Sequence, residues 1–281
     1  DGRIKTFNVA ADGTTVTNVN TWEHDTGNGT YNSLARRSDD VYALAYKTSS
    51  NRGNIRTFKV AANGSISSLY VLQFEGSSTE ETSLIQLKGD LFLLAYPGPG
   101  NDGMLKSYNI GTNGSISGLK TLEHNTVNGW APALHKMTDS TAVLVYSDHD
   151  NSTHEIKTFH VASDGTITEK KKVKISDNKG YWNSIAQVDS DTYLIAAQAK
   201  DEDGYLYTYD ISPDGTSITK VAELEFDEYK TRFNELYNLG SNSFLLAHAG
   251  SDQTTGTFGG TYTKIFTVPA DGSKIKQIYN T

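Results

Sequence analysis

The chain has 281 residues, of which 36% are apolar and 21% charged, and its formal net charge is −8. The negative charge argues against nucleic-acid binding, which requires a basic face. The absence of cysteine excludes a disulfide framework, a thiolate metal site and a cysteine nucleophile, and no apolar stretch approaches the ~20 residues that span a membrane.

The first predicted element is a β-hairpin over residues 3–24, in which two strand-like segments meet at Asp12-Gly13. Asp-Gly and Asn-Gly pairs tolerate the backbone angles of tight hairpin turns. From Ser33 onward the chain repeats one order five times. Two apolar strands, here called a and b, are followed by a hairpin of two mixed strands, c and d. In the first repeat, Ser33-Leu34-Ala35 is strand a and Val41 to Tyr46 is strand b.

Every c strand carries one aromatic anchor residue. The anchors are spaced 51, 50, 51, 50 and 57 residues apart: Phe7, Phe58, Tyr108, Phe159, Tyr209 and Phe266. The last interval is longer because it contains the Gly/Thr-rich stretch Gln253 to Gly260. A regular period near 50 residues over the whole chain indicates a repeat architecture.

Four strands of about 5–8 residues in each repeat predict a β-propeller blade, and no stretch shows helical spacing of apolar residues. There are six c–d pairs but only five a–b pairs. We therefore predict one all-β domain over residues 1–281, a five-bladed β-propeller with a surplus N-terminal hairpin. A six-bladed propeller is the alternative, and the surplus hairpin is also a candidate for completing a blade of a neighbouring molecule.

The segment Asp90 to Lys106 contains an apolar strand that ends in Ala95-Tyr96, followed by the turn Gly98-Pro99-Gly100-Asn101-Asp102-Gly103. It resembles the repeats of secreted and cell-surface β-propeller proteins of archaea and bacteria. The segment Leu224-Glu225-Phe226-Asp227, ahead of an inner strand, is also similar to those repeats. The resemblance implies an extracellular repeat module and transfers no catalytic residues.

The connections from strand d to the next strand a are expected to line one mouth of the propeller. They carry aromatic side chains beside amides and carboxylates, a combination that suits sugar rings. The predicted ligand-binding residues are Tyr31, Trp130, Tyr181, Trp182, Arg232 and Phe233. The alternative interpretation is that these aromatic residues only separate adjacent blades.

Catalytic and metal-binding patterns are weaker. A polysaccharide lyase would need a base and a cation, for which His135 with Tyr181 and Arg232 is the candidate set. The acidic turns, such as Asp201-Glu202-Asp203-Gly204, carry oxygen donors for Ca²⁺, but turn chemistry explains the same residues. We predict no catalytic residues, no metal and no cofactor.

Together these features predict a non-catalytic extracellular propeller, secreted or on the cell surface, that binds glycans or surface ligands or builds a surface assembly. The alternatives are a carbohydrate-active enzyme such as a polysaccharide lyase, and a structural spacer in a filament or surface layer. The expected partners are a glycan or cell-surface ligand and, through the surplus hairpin, a second copy of the chain.

Overall fold

The computed structural model describes residues 1–251 and 258–280, so the Gly/Thr-rich stretch before the last anchor lies largely outside the described residues. The chain divides into two compact units. The N-terminal unit comprises residues 1–126 and 162–167, and the C-terminal unit comprises residues 127–161 and 168–281. One domain over residues 1–281 stays a prediction.

The described residues form one two-stranded sheet and five four-stranded antiparallel sheets. The hairpin contains β1 (Gly2–Val9) and β2 (Val16–Asp25). The first blade contains β3 (Thr30–Arg36), β4 (Val41–Lys47), β5 (Gly53–Val60) and β6 (Ile66–Glu75). The second contains β7 (Ser83–Lys88), β8 (Leu91–Pro97), β9 (Gly103–Ile110) and β10 (Ile116–Asn125).

The third blade contains β11 (Trp130–Lys136), β12 (Thr141–Asp148), β13 (Thr153–Val161) and β14 (Ile167–Ser176). The fourth contains β15 (Tyr181–Gln187), β16 (Thr192–Gln198), β17 (Gly204–Ile211) and β18 (Ile218–Asp227). The fifth contains β19 (Thr231–Gly240), β20 (Ser243–Ser251), β21 (Phe258–Thr267) and β22 (Lys276–Asn280). Two single-turn 3-10 helices, Pro99–Asn101 and Lys200–Glu202, lie in turns between strands b and c.

Strands follow the order a-b-c-d within each sheet, so b and c are internal and a and d are edges. The b strands form the cores of the blades because they are apolar on both faces. In β8, for example, Phe92, Leu93 and Leu94 are fully buried. The prediction of a five-bladed β-propeller with a surplus N-terminal hairpin is confirmed.

The c–d turns have one design, which explains why the Asp-Gly and Asn-Gly pairs recur. The glycine adopts a positive φ, for example +81° at Gly64 and +83° at Gly114. The preceding side chain caps the turn, since Asn63 Oδ1 accepts a hydrogen bond from the backbone N–H of Ser65 at 3.0 Å. Asp12, Asn113, Asp164, Asp214 and Asp271 accept the corresponding bond in the other five turns. Short side chains that bond their own backbone favour such turns.

The surplus hairpin packs on the first blade in the N-terminal unit. Ile4 and Trp22 cover the buried side chains of Leu44, Tyr46 and Phe58. Thr6 Oγ1 donates a hydrogen bond to the carbonyl oxygen of Gly64 at 2.7 Å. The same bond joins successive complete blades, since Thr57 donates to Gly114 and Thr208 donates to Gly272. The hairpin therefore occupies the place of strands c and d in a preceding blade.

Candidate functional site

The six residues predicted to bind a ligand occupy two repeat positions at the start of the a strands. Tyr31, Trp182 and Phe233 share one repeat position, where φ is +52°, +53° and +54°. The strand register shifts at this position, which is the signature of a β-bulge. Trp130, Tyr181 and Arg232 lie one position before the bulge. Ala131, not Trp130, therefore occupies the bulge of the third blade, with φ +51°.

The next blade holds some of these bulges in place. Thr82 Oγ1 donates to the carbonyl oxygen of Tyr31 at 2.6 Å, and Asn183 Nδ2 donates to that of Ala131 at 2.9 Å. Such strained backbone positions persist only where surrounding contacts support them. The aromatic residues at these bulges thus lie on backbone that the next blade supports by hydrogen bonds.

The structure brings together some of the predicted residues. Trp182 and Phe233 pack with ring centroids 4.2 Å apart, and Phe233 remains 59% exposed. Tyr181 instead packs edge-on against His149, whose Nε2 lies 3.1 Å from Lys179 Nζ. These contacts lie in the C-terminal unit.

Tyr31 lies in the N-terminal unit, among charged groups. Lys47 Nζ lies 5.5 Å from the centre of the Tyr31 ring and 2.6 Å from Glu80 Oε1. Burial raises the pKa of Tyr31, and the negative charges of Glu80 and Glu81 raise it further. Both effects disfavour ionisation of this phenol.

His135, the candidate base of a lyase, packs against a neighbouring ring. His135 lies edge-on against Tyr193 of β16, with ring centroids 5.7 Å apart, and burial lowers the pKa of its imidazole. In the part of the chain that the structure describes, no group of three or more His, Cys, Asp or Glu side chains is arranged to hold a metal ion. No helix among the described residues is both long and apolar enough to cross a membrane.

A buried polar cluster in the C-terminal unit was missed at the sequence level. Thr231 Oγ1 lies 3.0 Å from His248 Nδ1, and His248 Nε2 lies 3.8 Å from Asp227 Oδ2. Lys264 Nζ lies 3.4 Å from the same carboxylate oxygen. The order resembles a nucleophile, base and acid, but all four residues are buried. The cluster therefore joins β18 to the fifth blade and offers no path to a substrate. Its sequence signal is a change of residue type, because His248 stands where β4 and β8 carry Tyr46 and Tyr96.

An open strand edge is the most unusual surface of the N-terminal unit. Among the described residues, β1 pairs only with β2, whereas every other c strand also pairs with a b strand. The anchor Phe7 on β1 is 51% exposed, while its five counterparts are at most 2% exposed: Phe58, Tyr108, Phe159, Tyr209 and Phe266. Among the described residues, the hairpin thus corresponds to strands c and d of a blade.

A second apolar residue is also more exposed than most of its repeat counterparts. Leu34 on β3 is 56% exposed, whereas three of its four counterparts, Leu84, Leu134 and Leu236, are at most 7% exposed. Leu84 belongs to a buried cluster with Ala43 and Ala45, from strand b of the blade before it. Among the described residues, no b strand stands in the corresponding place beside Leu34.

The sequence matches no protein-family model, and no curated protein matches it. Solved structures do resemble the chain. A putative 6-phosphogluconolactonase from Bacteroides uniformis is 10% identical with a TM-score of 0.64, and the match covers 99% of this chain and 91% of that one. A protein of unknown function from Dyadobacter fermentans is 12% identical with a TM-score of 0.61, over 99% and 86%. Sqt1 from Saccharomyces cerevisiae is 8% identical with a TM-score of 0.58, over 92% of this chain and 62% of Sqt1.

These comparisons contradict the function predicted from the sequence. The prediction of a non-catalytic extracellular module for glycan or surface binding or for surface assembly is wrong. The alternatives, a polysaccharide lyase and a filament spacer, are wrong as well. The structural neighbours are instead a putative 6-phosphogluconolactonase, Sqt1 and a protein of unknown function. The error has a physical reason. Regular repetition and aromatic bulges come with the propeller scaffold, which hosts many unrelated activities. At 8–12% identity, the likeness shows the β-propeller fold of this chain and nothing finer.

Proposed function

We propose that the protein is a propeller that binds a pair of β-strands at the open edge of β1. The observation that carries this proposal is the exposure of Phe7, the anchor that is buried in all five complete blades. Addition of a strand to an exposed sheet edge is a general mode of peptide recognition, in which main-chain hydrogen bonds provide affinity and side-chain contacts provide specificity.

The complete blades define the chemistry of the bound strands. The b strand places an aromatic residue opposite the anchor in four of the five blades: Tyr42, Phe92, Tyr193 and Phe244. We therefore expect a partner hairpin whose inner strand is apolar on both faces and carries an aromatic side chain opposite Phe7. Full burial of such a side chain contributes about 1.5–3 kcal/mol, and the bound pair would also cover Leu34.

The charges on β1 are consistent with an edge that stays open until a specific partner arrives. Arg3 and Lys5 lie on this strand, one on each side of Ile4. Charged side chains on an edge strand discourage indiscriminate pairing and aggregation. A partner strand with acidic side chains near Arg3 and Lys5 would be favoured over one with basic side chains.

The test uses a synthetic peptide of residues 83–97, which are strands a and b of the second blade, added to the full chain. A Phe7→Trp variant, with Trp22, Trp130 and Trp182 replaced by Phe, reports burial of the anchor through a blue shift of its emission. We expect saturable binding together with that shift. Val9→Asp on β1 should abolish binding, whereas Val71→Asp on β6 should leave it unchanged, because both valines are already exposed, at 62% and 51%. A scrambled peptide is the control for non-specific association.

Absence of binding by the folded protein would overturn the proposal, and so would equal loss in the two aspartate variants. Self-association through the hairpin, which the sequence predicts, is tested by sedimentation of the chain alone. A dimer that Val9→Asp dissociates would show that a second copy occupies the edge in place of a different polypeptide.

The secreted or cell-surface location of the repeat propellers that the sequence resembles is kept as a separate proposal. Antibody detection of the chain in the culture medium or on intact cells of its source tests it. Recovery from the cell interior alone contradicts it.

A further inference from the structure

A polar cleft of about 270 Å³ lies between the surplus hairpin and the first blade, within the N-terminal unit. The hairpin contributes two carboxylates and an imidazole, and the blade contributes a phenol, an amide and a guanidinium. The lining residues that matter are Glu23, His24, Asp25, Tyr46, Asn54 and Arg56. The cleft does not depend on occupation of the β1 edge.

The cleft lies beside a cation that is directed differently from its counterparts in the second and fifth blades. Lys106 Nζ, on β9, donates to the carbonyl oxygen of Phe74 at 2.5 Å and lies 3.8 Å from Glu75. Lys264 Nζ, on β21, makes the corresponding contacts with Phe226 and Asp227, at 2.5 and 3.4 Å. In both cases the lysine fills the interface with its own bonds.

Arg56 holds this repeat position on β5 but turns elsewhere. Its guanidinium carbon lies 5.5 Å from the centre of the Trp22 ring, and Nη1 donates to Ser68 Oγ at 3.4 Å. Its Nε is buried and has no hydrogen-bond partner among the described residues. The space that Lys106 and Lys264 occupy in their two interfaces is left open here.

A second buried group lines the cleft without a partner. His24 is 2% exposed, and its Nδ1 lacks a hydrogen-bond partner among the residues that the structure describes. Its ring packs edge-on against Tyr46, with centroids 4.7 Å apart. Burial lowers the pKa of His24, so the imidazole is neutral at pH 7. Buried polar groups are nearly always hydrogen-bonded, so His24 Nδ1 is an acceptor that a donor group in the cleft can complete.

The charges determine the chemical class of that ligand. Glu23 is an exposed carboxylate whose Oε2 lies 4.0 Å from Arg3, and Asp25 Oδ1 accepts a hydrogen bond from Gly27 N at 2.8 Å. Two carboxylates favour an ammonium group. The Arg56 guanidinium favours a carboxylate, which it can bind by two hydrogen bonds. A molecule with both groups on neighbouring atoms matches both ends of the cleft.

We propose that the cleft between the hairpin and the first blade binds a free α-amino acid. The carboxylate of the ligand lies against Arg56, and its ammonium group lies against Glu23 and Asp25. One N–H of that ammonium group donates to His24 Nδ1. Tyr46 provides apolar surface beside the α-carbon and its side chain.

The test is calorimetric titration of the full chain with each of the twenty free amino acids, with acetate and methylamine as single-charge probes. Fluorescence of Trp22, in a chain with Trp130 and Trp182 replaced by Phe, gives an independent readout. We expect saturable binding of at least one amino acid. Each single-charge probe should bind at least about tenfold more weakly, because it satisfies only one end of the cleft. Absence of saturable binding, or equal binding of acetate or methylamine, would overturn the proposal.

Variants separate binding from folding. Arg56→Lys recreates the residue of the second blade, so it should fill the cleft, keep or raise the unfolding midpoint and abolish binding. Glu23→Gln should weaken binding about tenfold without loss of stability, because Glu23 is exposed. Arg52→Ala, at an exposed arginine outside the cleft, is the control and should change neither. Unchanged binding in Glu23→Gln and Arg56→Lys would contradict the assignment.

Discussion

The start of each c strand shows how single residues are matched across a blade. Gly53 and Gly204 stand there because an aromatic ring of strand d lies over them. A Cβ at Gly53 would lie 2.2 Å from the Phe74 ring, and one at Gly204 would lie 2.5 Å from the Phe226 ring. No side chain fits at that distance, so only glycine is compatible with the ring.

In the third blade, strand c supplies the ring in place of strand d. His154 occupies the glycine position of the c strand, and Ile175 stands where other d strands carry a ring. The His154 ring is fully buried and lies over Gly180, where a Cβ would be 2.2 Å away. One ring therefore fills this volume in either arrangement, and the strand that supplies it differs.

This exchange leads to a stability prediction. His154→Gly alone should lower the free energy of unfolding by about 3–5 kcal/mol, because it leaves a ring-sized cavity. Adding Ile175→Phe restores the arrangement of the other repeats, so the double variant should recover part of the loss. Urea unfolding of the wild type and the three variants measures the coupling. Simple additivity of the two single effects would contradict the exchange.

At the scale of strands and blades, one hydroxyl recurs as a connection between neighbours. Thr57 Oγ1 on β5 is buried and donates to the carbonyl oxygen of Gly114, at 2.6 Å, in the turn of the second blade. The same bond runs from Thr6, Ser107, Thr158 and Thr208 to the following turn. The glycine has a positive φ, which turns its carbonyl towards the hydroxyl of the preceding blade.

Removal of this hydroxyl should weaken the junction between two blades. Thr57→Val keeps the shape but leaves a buried carbonyl without its partner, which costs about 1–3 kcal/mol. Thr57→Ser retains the donor and reproduces the residue that the second blade already uses, Ser107, so its loss should be small. Thermal unfolding of both variants tests this, and equal destabilisation by Val and Ser would show that packing rather than the hydrogen bond matters.

At the scale of the whole molecule, histidines make the stability depend on pH. Burial lowers the pKa of His24, His135 and His248, and it lowers the pKa of His154 to about 4. The unfolded chain titrates these groups near pH 6.5. Between the two pKa values the unfolded state binds more protons than the folded state, so acid favours unfolding.

We expect the stability contributed by neutral His154 to be fully present above about pH 6.5 and to be lost as the pH falls towards 4. The slope for this residue is about 1.4 kcal/mol per pH unit. Urea unfolding between about pH 7 and pH 4.5 measures it, and His154→Phe should reduce the slope. A stability that is constant over this range would contradict the prediction.

The candidate sites show why sequence patterns reach only part of the function. Six residues were predicted to share a ligand surface, and the β-bulges separate them into two repeat positions. Trp182 and Phe233 are in ring contact, whereas Tyr181 packs against His149. The cleft at Arg56 depends on one side chain turning towards Trp22. No spacing in the sequence encodes that choice of rotamer.

The sequence by itself determined the strands, their order within each blade and the five complete blades with their surplus hairpin. These features depend on local chemistry, namely apolar b strands, one aromatic anchor per repeat and Asx-Gly turns that cap themselves. Only the tertiary structure decided which equivalent residues are covered. Phe7 and Phe58 occupy the same repeat position, yet one is half exposed and the other buried, because burial is a property of the neighbouring strand and not of the residue.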